Sequence, residues 1–74
     1  MTNASRCRAT AAHYARLAQA AGDARRRNAY AKLQQLWTEL AALAEKFDRG
    51  TDDLVKARIY AKMDAVEVAR RQAA

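Results

Sequence analysis

The chain contains no proline, and its only glycines are Gly22 and Gly50. That punctuation excludes most folds. Sheet proteins reverse direction in tight turns, and tight turns draw on glycine, proline or clustered Asn and Asp. Two breaks in 74 residues leave three stretches long enough for helices. Gly22 suits a left-handed position just past a helix, and Asp23 suits the N-cap of the next one. Gly50 repeats the pattern, with Thr51 as N-cap and Asp52 and Asp53 in a first turn that favours acids. Thr2, Asn3 or Ser5 can cap the first stretch. The expectation is an all-α chain forming one domain over residues 1–74. It is a small bundle of antiparallel helices at about 4–21, 24–48 and 52–72.

The second stretch has the clearest period. Leu33, Leu36, Trp37, Leu40, Leu43 and Phe47 recur at alternating spacings of three and four, the stripe of a bundle helix. Cys7, Ala11, Tyr14 and Leu17 should face it from the first stretch, and Val55, Ile59, Met63, Val66 and Ala69 from the third. Each helix carries one tyrosine inside a Tyr-Ala-basic-apolar run, at Tyr14, Tyr30 and Tyr60. The register about the first turn sets Tyr14 level with Ala31 and Tyr30 level with Ala15, large against small. About the second turn, Met63 comes level with Trp37, a sulfur–aromatic pair. A second role stays open for the tyrosines, as part of an aromatic and basic surface that stacks on bases. Twenty residues are Ala, so large apolar side chains are sparse for a chain of this size. Either the helices pack closely on Ala or a second chain completes the core. The expectation includes self-association to a homodimer.

The charge is uneven. The net charge is +6, and residues 1–32 hold seven basic groups against Asp23 alone. Basic excess of this kind faces anions, whether nucleic acid, acidic protein or lipid head groups. A genome rich in Arg and Ala codons produces the same counts. Arg25, Arg26 and Arg27 break a local rule, because cations at a helix N-terminus oppose its dipole by roughly 0.3–1 kcal/mol each. Antiparallel topology returns Arg70 and Arg71 to that pole, and sends Arg6 and Arg8, with Lys46 and Arg49, to the other. These seven arginines, Arg25, Arg26, Arg27, Arg70, Arg71, Arg6 and Arg8, are the candidate anion- or partner-binding residues. The pairs Asp52–Lys56, Glu45–Arg49 and Glu67–Arg71 all run acid first at i,i+4, the favourable order.

Little here supports catalysis. Cys7 and His13 are six residues apart, on different sides of a helix, so they share no metal and make no nucleophile–base pair. One cysteine forms no internal disulfide. No glycine-rich phosphate loop is present, and a domain this thin offers no walls for a substrate pocket. The expectation is no enzyme, no catalytic residues, no cofactor, no metal and no small-molecule substrate. No stretch is long and apolar enough to span a membrane, and residues 1–15 lack the apolar segment of a secretory signal, which points to the cytoplasm. The closing Gln72-Ala73-Ala74 reads as a frayed tail, similar to tags read by bacterial unfoldase–protease machines.

From Tyr14 to Phe47 the chain reads Leu-Ala, a Gly-Asp turn, an Arg-rich start, then Leu-x-x-Leu-Trp-x-x-Leu-x-x-Leu-Ala. This resembles the short helical-hairpin proteins found in many proteobacteria, which have no assigned activity. The resemblance covers about half the chain and leaves the third helix outside. It implies a bacterial or phage origin and a cytosolic helical hairpin, and it carries over no functional residues. The resulting expectation is a small non-catalytic helical binding protein, an adaptor, regulator or inhibitor that docks on a protein partner. The alternative is weakly sequence-specific nucleic-acid binding through the Arg-rich pole. Two such short loops between long helices leave no helix-turn-helix.

Overall fold

A computed structural model describes residues 3–50 and 53–74, without the side chain of Asp48. It contains α1 (Asn3–Ala20), α2 (Ala24–Arg49) and α3 (Asp53–Ala73), and no strand among the described residues. Each helix end lies within one residue of its expected place. Asp23 caps α2 from an extended backbone (φ −112°, ψ 128°), its carboxylate accepting the Arg25 N–H at 2.8 Å. Thr2, Thr51 and Asp52, with the expected Asp52–Lys56 pair, lie outside the described residues. Asn3 and Ser5 fall inside α1.

The glycines differ from expectation, since neither is left-handed. The first reversal is spread over residues 21–23, so no single residue has to take a positive φ. Gly50 is extended (φ 175°, ψ 145°), and its N–H donates to the Phe47 carbonyl at 3.2 Å. A methyl group at either glycine would meet nothing within 4 Å.

Both α1 and α3 pack antiparallel on α2, and no Cα of one comes within 8 Å of the other. The result is a slab of 42 × 22 × 12 Å. The two outer helices flank α2 rather than closing a triangle with it. The core runs along α2. Leu33 is 0% exposed, and Leu36 and Leu40 are buried with it against Val66, Ala69 and Ala73 of α3. On the α1 side, Ala4 and Ala11 are buried, as is Ala41 of α2. Small side chains at these contacts let the backbones approach closely. Ala73 belongs to that core and the Ala74 N–H bonds to the Arg70 carbonyl at 3.2 Å, so the tail expected to fray is docked.

Several partners differ from the expected ones. Tyr14 and Tyr30 stack on each other, ring centroids 6.2 Å apart at 26°. Both rings line a hollow beside Leu33 that Arg70, Ala73 and Ala74 border from the other side. Of the residues expected to face the α2 stripe, Tyr14, Ile59 and Val66 join the core, whereas Met63 stays 43% exposed. Tyr60 is 60% exposed, with the Lys56 ammonium 5.9 Å from its ring. Glu45 reaches across to Arg8 of α1 rather than along α2 to Arg49. Lys62 pairs with Glu39 between α3 and α2. The Glu67–Arg71 pair forms along α3 at 3.9 Å.

Candidate functional site

Two surfaces stand out. The first is the basic pole. Antiparallel packing sets the end of α3 beside the start of α2, with Gln72 next to Arg25, Asn28 and Lys32. All five of Arg25, Arg26, Arg27, Arg70 and Arg71 are exposed there. They are not equivalent. The Arg27 guanidinium donates to the Ala21 carbonyl at 3.4 Å and so closes the end of α1. Arg71 pairs with Glu67, and Arg70 borders the hollow beside the stacked tyrosines. Arg25, Arg26 and Arg70 have no ion pair among the described residues. Arg6 and Arg8 sit at the opposite pole and do not join this group, and Arg8 is engaged by Glu45.

The second surface was not expected. Because α1 and α3 do not meet, the second half of the α2 stripe is only partly covered, with Leu40 buried and Trp37, Leu43 and Phe47 half-buried. Trp37, Leu40 and Phe47 form the floor of an apolar groove of about 250 Å³. Cys7 of α1 forms one wall, and Ile59, Tyr60 and Met63 of α3 form the other, with Lys56 as the one charged side chain. A thin domain does have walls here, supplied by the gap between two helices that share a neighbour. The sequence held a signal for it: Lys56, Tyr60 and Met63 repeat at helical spacing beside the core row of Ile59, Val66 and Ala69.

The groove's chemistry favours contact over reaction. Burial pushes the Cys7 thiol above its ordinary pKa, against the pull of Arg8, so it stays protonated at neutral pH. His13 is exposed and tilts against Tyr14, ring centroids 5.6 Å apart. The Trp37 indole nitrogen is buried without an acceptor. Lys62, by hydrogen bonding, holds the Glu39 carboxyl below its ordinary pKa, which makes that pair an ionic clamp between helices. Among the described residues no group of three or more His, Cys, Asp or Glu is placed to hold a metal, and no helix is long and apolar enough to cross a membrane. Comparison of the chain with models of protein families, with curated proteins and with solved structures finds no match.

Proposed function

We propose that this protein is a small non-catalytic helical binding protein, an adaptor, regulator or inhibitor, that docks a protein partner on the groove between α1 and α3. One observation carries the reading. The α2 stripe is an unbroken bundle seam, yet Trp37 and Phe47 stay half-buried on the floor of an apolar groove. An apolar groove between two helices is one way in which the apolar face of a partner helix is received. The reading fits a cytoplasmic protein, and the hairpin of Tyr14 to Phe47 fits the short proteobacterial proteins it resembles. Affinity capture from the host tests it. A protein retained by the wild type should be lost with Met63→Glu and kept with Arg25/Arg26/Arg27→Ala. Recovery of nucleic acid alone would overturn the reading.

The gathering of five arginines at one pole favours a second reading, weakly sequence-specific binding of nucleic acid. Neutralising about five phosphates gives a slope of log K against log salt near −4 to −5 on duplex DNA. The Arg25/Arg26/Arg27→Ala triple should flatten that slope. A triple that binds random-sequence DNA as well as the wild type does would eliminate this reading.

A further inference from the structure

At the basic pole three rings stand in a row. His13, Tyr14 and Tyr30 follow one another with centroids 5.6 and 6.2 Å apart. The two tyrosines are half-buried, so part of each ring stays open to solvent. Tyr30 borders two hollows. It shares one with Tyr14, Leu33 and Arg70, and no acid lines it. The other lies against the end of α1 and is bordered by Arg26 and Asp23. The Asp23 carboxylate already accepts the Arg25 N–H as the α2 cap. Neither Arg26 nor Arg70 has an ion pair among the described residues. An aromatic surface therefore stands between two unpaired guanidiniums.

That combination suits one form of nucleic acid better than the other. Guanidiniums hold phosphates whatever the base sequence. Phosphate attraction alone favours a duplex, whose charge density is higher. A ring is useful only to a base that is free to stack, and the bases of a duplex are already stacked on each other. Open rings among unpaired arginines thus add stacking to a single strand and nothing to a duplex. The rest of the pole agrees. Arg25 and Lys32 line a neighbouring hollow with Asn28 and Gln72, which extends the basic surface along the start of α2. Arg27 and Arg71 are held by the Ala21 carbonyl and by Glu67, and fall outside the contact.

We propose that this pole binds single-stranded nucleic acid, with a base stacked at Tyr14 and Tyr30 and its flanking phosphates on Arg26 and Arg70. The inference rests on the nucleic-acid reading of the pole and names the form it takes. Fluorescence anisotropy tests it with a short mixed-sequence strand, as DNA and as RNA, alone and annealed to its complement. For whichever sugar binds, the single strand should be held about tenfold tighter than the duplex. Tyr30→Leu should erase that advantage and leave duplex binding as it was, whereas Tyr30→Phe should keep it. Circular dichroism checks that both variants stay helical. Arg70→Ala changes an exposed side chain outside the core. It should weaken single-strand binding and reduce the salt slope by about 0.7. If no strand or duplex binds, the nucleic-acid reading falls and the inference with it. A duplex held as tightly as the single strand, a preference that survives Tyr30→Leu, or an Arg70→Ala without effect would overturn the inference alone.

Discussion

At the Gly22 end of the slab, Leu33 is sealed by Tyr14, Tyr30 and Ala73, whereas toward Gly50 the same stripe continues through Trp37 and Phe47, which stay half-buried. The two ends share one helix and one period. They differ in what covers them. At the closed end α3 brings Ala69 and Ala73, and a helix surfaced in Ala approaches closely. At the open end α3 brings Ile59, Tyr60 and Met63 against Trp37 and Phe47, while α1 brings Asn3 and Cys7. Large side chains on both faces hold the helices apart unless something else fills between them. A regular seam thus specifies a bundle helix, and the size of the residues opposite decides whether the bundle closes.

The largest effect expected from this contrast is in denaturant stability. Leu33→Ala should cost about 2–5 kcal/mol, and Leu40→Ala a similar amount. Met63→Ala, measured at high dilution, should cost under about 0.5 kcal/mol. Equal losses for Leu33→Ala and Met63→Ala would break the comparison. Next come the tyrosines. A double-mutant cycle on Tyr14 and Tyr30 should show a coupling of about 0.5–1.5 kcal/mol, and the same cycle on Tyr60 and Tyr30 none. Asp23→Ala should remove about 1 kcal/mol through loss of the α2 cap. Gly22→Ala should stabilise by about 0.4–1 kcal/mol, because the site has open space and no positive φ. A loss there would restore the left-handed turn.

The smallest effect is on pH. Lys62 lowers the folded pKa of Glu39, so the folded chain binds that proton less readily than the unfolded chain. The contribution is present above the ordinary carboxylate range and fades as pH falls through the lowered value. Both partners are 36% exposed, which keeps it modest. Glu39→Gln should flatten acid unfolding slightly, and an unchanged acid limb would dissociate the pair from stability.

Much of the architecture was legible in residue spacing. Leu33, Leu36 and Leu40 form the buried line their period predicts, and Asp23 caps the helix its position marks. What spacing could not decide was which side of α3 turns inward. Val66 and Met63 lie on neighbouring edges of one helix, and packing against α2 selects the Val66 edge, leaving Tyr60 and Met63 outside. Glu45 shows the same limit. Its helical neighbour Arg49 was a local candidate, and the cross-helix Arg8 prevails because α1 lies over that face. The groove itself depends on a contact that α1 and α3 do not make, and no single helix encodes it.

Trp37 is the only tryptophan in the chain and lies on the groove floor, so its quenching by acrylamide reports directly on whether the open end is covered. For the wild type, quenching should fall when a protein retained in the capture experiment is added. In Met63→Glu the same addition should change nothing. Quenching that the added protein leaves unaltered in the wild type would contradict docking on the groove.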